Sequence, residues 1–445
     1  MPAASSRIAV VISSSDEIEV LDRLLRATQR VIRYFDLPAS VYVLDAGARQ
    51  ETVQLARALG ATPVRQRAQG HGALIKTALE ATHGDYIVTL HGDGLHPPAL
   101  LPHMFAMRDQ ADLVIASRYV PQGFARMPRW RMALSRLLNA WFRRMLGLPF
   151  RDLSSSYRLY RRDLLKAIAP SMSTDAALQE ILIKSFCEGY SIAEVPMHYI
   201  ARTGHTGPGV RRLARLGVDY LATFGTMWRL RNSIDSCDYD TRAFFSRIPL
   251  QRWWQRRRCA IVSEFVGDAL RVLDAGCGST QLLNLLPHVV GMDYSLRKVR
   301  FMRRPGRRLV NGSTLDLPFR DESFDVVISS QVIEHLKPDP RIFTELVRCL
   351  APGGTLVLGT VDYGRWQWPL LERLYDLFKP TGYAREHITH YTRQSLFDQL
   401  HAFGLSVGEC RYICGGEIII KATKASVQAA AVANAADAVR DAVVV

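Results

Sequence analysis

The stretch from Val272 to Thr280, VLDAGCGST, leaves this chain few choices of fold. Val272 and Leu273 begin an apolar strand that ends on a carboxylate, Asp274. Gly276 and Gly278 then let the backbone turn tightly and approach a ligand before a helix opens. One strand–helix unit later, GMDYS from Gly291 to Ser295 puts a second carboxylate, Asp293, at the end of the next strand. There it can accept hydrogen bonds from both hydroxyls of a ribose. Together these features predict a parallel α/β sheet with a nucleoside at its carboxyl edge. The turn is D-x-G-x-G and lacks the third glycine of G-x-G-x-x-G. That glycine packs a helix close to a pyrophosphate, so the expected nucleoside carries none.

The first half of the chain starts in the same way. Arg7 to Ile12 predicts a strand, followed by Val41 to Leu44, Tyr86 to Leu90 and Leu113 to Ala116. The second half continues with Val289 to Met292, Phe324 to Ser329 and Gly354 to Thr360. At roughly 150 residues per domain, 445 residues allow two or three domains. A hydrophobic fraction of 48% and a charged fraction of 22% exclude global disorder and a collagen-like chain. No stretch of about 18 uninterrupted apolar residues predicts a membrane span, and the start is too quickly acidic for a signal peptide. A cytoplasmic chain is expected. The seven cysteines are odd in number and scattered without a C-x-x-C pair, which disfavours a zinc ribbon or a disulfide framework. A formal charge of +15 favours anionic partners: phosphorylated substrates, anionic headgroups or nucleic acid. No nucleic-acid-binding motif accompanies that charge, so nucleic acid is not an expected partner.

From about residue 255 to 422 the chain resembles class I S-adenosylmethionine (SAM)-dependent methyltransferases. The resemblance is carried by VLDAGCGST, by LPFRDESFDVVISSQVIEHL from Leu317, by LAPGGTLVLGT from Leu350 and by EHITHYTRQSLFDQLHAFGL from Glu386. It implies a Rossmann-like fold and SAM as cofactor. Asp274, Gly276 and Gly278 would line the methionine part, and Asp293 would hold the ribose. Ser313 stands where the family often has an adenine-contacting Asp, so that contact passes to its backbone or to Asp316. Gln331 would lie beside the sulfonium. An oxygen acceptor needs a base, for which His335, His387, His390 and Tyr391 are candidates, His335 foremost. No Asp-Asp pair or His-x-His cluster signals metal dependence in this half.

Residues 7 to about 210 resemble family 2 glycosyltransferases of the dolichyl-phosphate mannosyltransferase type, which have a GT-A fold. The matching pieces are AVVISSSDE from Ala9, VLDAG from Val43, the run from Gly70 to Pro98, LVIASRYV from Leu113 and GLPFRDLSSSYRLYRRDLL from Gly147. A departing nucleoside diphosphate needs a divalent cation or arginines to stabilise it. By resemblance, Asp16, Glu17 and Asp45 hold the nucleoside. Asp93, with His91, belongs to the site of a Mg or Mn ion. Arg118, Arg131 and Arg202 face phosphates, and Arg158 belongs to the substrate site. The family's D-A-D-x-Q is here His91-Gly92-Asp93-Gly94-Leu95. One carboxylate and one oxygen ligand are lost, which thins the metal shell.

The fold class expected is therefore α/β with two domains, GT-A followed by Rossmann-like. The expected division is residues 1–232, a linker at 233–254, residues 255–424 and a low-complexity tail at 425–445. Two readings of function stand. One is a bifunctional glycosyltransferase and methyltransferase of cell-envelope glycan or glycolipid synthesis, acting on a nucleotide sugar and a glycan or lipid-phosphate acceptor. The other is a methyltransferase whose GT-A domain only binds. The stretch from Arg126 to Leu146, with six arginines, Trp130 and Trp141, and the basic helix from Arg211 to Arg231 predict peripheral contact with the anionic inner face of the membrane.

Overall fold

The computed structural model describes residues 7–14, 17–47, 49–168, 170–200, 210–286, 288–378 and 387–426. The chain forms two compact units, Met1–Arg231 and Asn232–Val445.

In the first unit nine strands form in chain order: β1 (Ile8–Ser13), β2 (Ala39–Asp45), β3 (Thr62–Arg65), β4 (Tyr86–Leu90), β5 (Leu113–Ser117), β6 (Phe124–Arg126), β7 (Arg158–Arg161), β8 (Ile192–Pro196) and β9 (His198–Ile200). Seven of them make one sheet in the order β3-β2-β1-β4-β7-β5-β8, and β6 pairs with β9. β1, β4 and β5 are apolar along almost their whole length and buried, as strands covered on both faces must be. β7 runs antiparallel to both its neighbours. The helix Ile18–Tyr34 buries Val20, Leu21, Leu24, Leu25, Thr28 and Ile32. That three-to-four-residue spacing forms one apolar face against the sheet.

The second unit has β10 (Val272–Ala275), β11 (Val289–Asp293), β12 (Arg308–Asn311), β13 (Phe324–Ser330), β14 (Leu350–Val361), β15 (Leu405–Ile413) and β16 (Glu417–Lys424). Their order is β12-β11-β10-β13-β14-β16-β15, parallel except for the hairpin of β15 and β16, which joins β14 antiparallel. Separate apolar clusters cover the two faces. One contains Leu273, Met292 and Leu358; the other contains Val272, Val326 and Val357.

In each unit the connections lead to opposite sides of a central strand, β1 and β10. The crevice this opens lies beyond the carboxyl ends of the strands. Among the described residues no helix is long and apolar enough to cross a membrane.

The segment 233–254 is not a free linker. It belongs to the second unit as the helix Tyr239–Phe244 and the start of the helix Pro249–Val266. Its carboxylates and hydroxyls look solvent-seeking in sequence, but in the fold Asp240 accepts the Ser279 amide and Thr241 donates to the Ser279 carbonyl at the glycine turn. Most of the 425–445 tail lies outside the described residues.

Candidate active sites

Beyond β4 the segment from His91 to His96 is tied down by its own side chains. The Gly92 amide donates to the Ser13 hydroxyl at the end of β1, 3.2 Å away. The His91 amide donates to His96 Nδ1 at 2.9 Å, and the Leu95 amide to Asp93 Oδ1 at 3.0 Å. His91 Nδ1 lies 3.2 Å from Asp93 Oδ2. Burial would push the Asp93 carboxyl up, but the bond and charge of His91 and the Leu95 amide hold it below its ordinary value. His96 is buried and stacks on Tyr157 with ring centroids 5.1 Å apart. Burial drops its pKa to about 3, so the ring is neutral; with Nδ1 accepting, Nε2 carries the proton.

His91, Asp93, His96, Arg118, Ser154 and Tyr199 line a cleft of about 210 Å³. Whole ligand pockets run to about 300–1,000 Å³, so this is a subsite, the size of a phosphate or cation end.

Arg118 lies in the cleft wall but is held by a partner not expected from the sequence. Its Nε and Nη2 each donate to the Asp152 carboxylate at 2.8 Å, and Nη2 also reaches the Ser154 hydroxyl. Asp152 is fully buried, and Glu194 in turn accepts its amide at 2.9 Å. The pair is mutual: despite burial, Asp152 sits below the usual carboxylate range and Arg118 above the usual guanidinium range. Asp152 lies in the stretch GLPFRDLSSSYR, and Glu194 comes 42 residues later. Only their contact in space gives them a role.

Arg158 does not belong to the substrate site. It is fully buried and spends its donors on three main-chain carbonyls, those of Leu153, Ser155 and Leu178, each at 2.8 Å. It pins a loop and meets no substrate. Arg158→Met leaves three acceptors unpaired at about 1–3 kcal/mol each, so urea unfolding should show a loss of about 3 kcal/mol or more. Unchanged stability with lost sugar transfer would restore a substrate role.

Asp45, at the end of β2, accepts the Ser14 hydroxyl at 2.7 Å and the Gly47 and Arg49 amides at 3.0 Å. Burial raises its carboxyl, but these donors carry it below its ordinary value. Glu17 is exposed at the start of the helix Ile18–Tyr34. Arg131 is half-buried with no partner for Nε, and its charge reaches Tyr199 together with those of Asp93 and Arg118. Asp16 and Arg202 lie outside the described residues.

In the second unit the glycine turn closes on Asp293. Its Oδ2 accepts the Gly278 amide and its Oδ1 the Ser295 amide, both at 2.7 Å. Gly276 (φ +90°) leaves no room for a Cβ, which would stand 2.3 Å from Val332 Cγ2. The Ser279 amide donates to Asp240 Oδ2 at 2.9 Å, and Lys298 Nζ is 3.5 Å from the same oxygen. Asp240 comes from the segment read as a linker; neither spacing nor motif could have found it. Asp274 is buried with Oδ2 unpartnered. Burial, then the charges of Asp293 and Asp240, push its carboxyl up to about 7.

Gln331 follows β13 with φ +60°, a conformation disfavoured outside glycine. Its amide donates to the Gly359 carbonyl at 2.8 Å, and its Nε2 is buried without a partner. Ser313 and Asp316 form a tight turn, half-buried and exposed respectively, tied through Gly312 to the Asp293 carbonyl at 3.2 Å. His335 and His387 have ring centroids 5.0 Å apart, and the exposed His390 stacks on Tyr363. Tyr391 packs in the core instead.

Residues 9–169 match the glycosyl transferase family 2 profile, and residues 273–358 match a methyltransferase domain profile. The chain is similar to a dolichyl-phosphate hexose transferase of Haloferax volcanii, 30% identical over 203 residues, which are 45% of this chain and 85% of that protein. It is 31% identical over 154 residues to a polyprenol monophosphomannose synthase of Mycolicibacterium smegmatis, covering 34% of this chain and 57% of that protein. A protein of Encephalitozoon cuniculi described as a methyltransferase is 39% identical over 112 residues, 24% of this chain and 52% of that protein. The chain thus spans about half the length of the last two. With its first unit matching a relative almost end to end and its second carrying the SAM-type turn, the chain belongs to glycosyl transferase family 2 and joins to it a class I methyltransferase domain.

Proposed function

We propose that the first unit moves a sugar from a nucleotide donor to a polyprenyl phosphate or a glycan, and that the second methylates the same or a related product with SAM. The similarity to the Haloferax volcanii dolichyl-phosphate hexose transferase over 85% of its length carries the first half of this reading. Asp93 with His91 would hold a divalent cation against the departing diphosphate, while Arg131 offers an arginine charge near the cleft. Arg118 is neutralised by Asp152 and orients the wall. Asp45 and Glu17 would bound the nucleoside end.

The buried imidazole of the cleft, His96, is a weak base with a pKa of about 3. An already ionised phosphate oxygen needs no base, so a phosphate acceptor makes the smaller demand on this cleft. The ligands lost at His91 and Leu95 favour the alternative of a binding-only domain, but it is not the better supported, since Asp93 still lines a polar cleft.

In the second unit the unpartnered Asp274 Oδ2 offers an acceptor to a cationic group and the unpartnered Gln331 Nε2 a donor to an oxygen, a pair that fits a nucleoside carrying an amino acid. Bound SAM supplies a methyl group on a sulfonium. Asp293 would hold the ribose hydroxyls, Asp274 the α-ammonium, and Ser313 with Asp316 the adenine. Positioning then supplies much of the rate of an in-line transfer. A carboxyl near 7 must be ionised to hold an ammonium, so SAM affinity should rise with pH. Between pH 6 and 7.5 calorimetry should read about an eightfold gain. Asp274→Asn should remove that slope; a slope that survives counts against the ammonium role.

Membrane contact has a structural candidate. On the helix Arg129–Leu146 the side chains of Trp130, Leu134, Leu137, Leu138, Trp141 and Met145 are exposed along one face, flanked by Arg136, Arg143 and Arg144. Trp141 packs 4.2 Å from Phe224 of the helix Val210–Asn232, where Val218 and Leu221 are also exposed. Arg231 does not join this surface. It is buried and donates to the Leu146 and Gly147 carbonyls.

The deciding experiment supplies nucleotide sugars and labelled SAM to the purified chain, with anionic vesicles carrying polyprenyl phosphate. Sugar transfer to the lipid that weakens with salt, together with methylation of the product, is expected. No transfer from any nucleotide sugar would reject the first half of the reading, and no SAM turnover the second.

A further inference from the structure

Three residues scattered in sequence converge beyond β13. Glu334 and His335 occupy the single turn Ile333–His335, and His387 arrives from more than fifty positions later. Each offers one ligand atom, and these atoms all lie within 4.8 Å of one another. The two segments are pinned independently of any ion: the Glu334 carbonyl accepts the Ile388 and Thr389 amides at 2.8 and 3.0 Å.

Glu334 is fully buried, and neither of its carboxylate oxygens has a hydrogen-bond partner. The Thr360 hydroxyl lies beside it without completing a directed bond. A buried carboxylate left this way is costly unless something positive or protic answers it. His387 is oriented from behind. Tyr363 donates its one hydroxyl hydrogen to Glu372 at 3.0 Å and lies 2.8 Å from His387 Nδ1. Nδ1 must then be the donor in that contact, so Nε2 is the acceptor nitrogen of the neutral ring. Metal-ligating histidines are held in this manner, through the nitrogen they do not use.

We propose that Glu334, His335 and His387 form a binding site for one divalent transition-metal ion at the acceptor end of the methyl-transfer site. One carboxylate and two imidazoles suit zinc, iron, manganese or cobalt better than magnesium or calcium, which prefer oxygen alone. Three protein ligands leave a position open for substrate, and His335 is only half-buried. The cluster adjoins the SAM turn, because Val332, two residues before Glu334, is the side chain that crowds Gly276.

The role of the ion rests on the methyl-transfer reading; the existence of the site does not. An ion here draws electron density from an acceptor hydroxyl. The hydroxyl proton leaves to water as the oxygen takes the methyl group, and the electron pair of the broken S–C bond returns to sulfur. His335 is then a ligand and not the base.

The test uses the full chain carrying Asp93→Ala and His91→Ala, which removes the other candidate cation site. After stripping with EDTA it is titrated with Co2+, read by visible absorption, and SAM binding is measured on the same preparation. One equivalent of Co2+ should bind. Glu334→Gln and His387→Ala should each weaken it at least tenfold, and Tyr363→Phe by about 10–100-fold.

Retained SAM binding shows that a variant is folded. Should His387→Ala lose SAM, the near-isosteric Glu334→Gln and Tyr363→Phe decide. A chain that binds SAM but no Co2+, or whose Co2+ binding ignores all three substitutions, overturns the site. Co2+ binding with no SAM binding supports the site and removes methyl transfer instead.

Discussion

Asp293→Ala should weaken SAM binding by at least about a hundredfold in calorimetry. The carboxylate sits at the end of β11, where it already accepts the Gly278 and Ser295 amides. Both ribose hydroxyls of a bound nucleoside would add to it. A hydrogen bond to a charged group contributes about 1.5–3 kcal/mol, so losing two costs about 3–6 kcal/mol. Tenfold in affinity corresponds to about 1.4 kcal/mol, which sets a hundredfold as the lower bound. The alanine also leaves the Gly278 amide of the glycine turn and the Ser295 amide after β11 unpaired, so the turn itself loosens. Asp293→Asn keeps an acceptor but no charge and should fall between. An alanine variant that binds SAM as the parent does would end the ribose assignment.

Asp93→Ala should reduce turnover of a sugar nucleotide by about a hundred- to a thousandfold, the scale on which preorganised charge stabilises a leaving group. The cleft offers few alternatives. Leu95 supplies no oxygen, His96 is committed to the His91 amide, and Arg118 is neutralised by Asp152. His91→Ala should cost less, because the carboxylate remains. The assay is product formation with Mn2+ or Mg2+, against an EDTA-treated control. Parental turnover by Asp93→Ala would reject the metal role.

The two sites were legible to different degrees. Asp274, Gly276, Gly278 and Asp293 could be read directly because a strand, a tight turn and a strand end constrain residue type locally. Gly276 could carry no side chain against Val332, and Asp293 ties the Gly278 amide to that of Ser295. Arg158 shows the opposite case. Its position in a family motif suggested a place in the substrate site, whereas burial and three carbonyls decided its role. Arg231 repeats the lesson: an apparent surface charge caps the end of a neighbouring helix. A sequence records that a residue is cationic but not which side of the protein surface it faces.

The succession of apolar strands along the chain, the glycine turn and the acidic strand ends were determined by the sequence alone. Each depends on neighbours a few positions away, where backbone sterics and periodicity act. The Arg118–Asp152 pair, the Asp240 cap and the meeting of Glu334 with His387 were decided only by tertiary structure. Their partners are separated by 34 to more than fifty residues. Which of many polar side chains meet across such loops depends on how the sheet and helices pack, and no local rule carries that information.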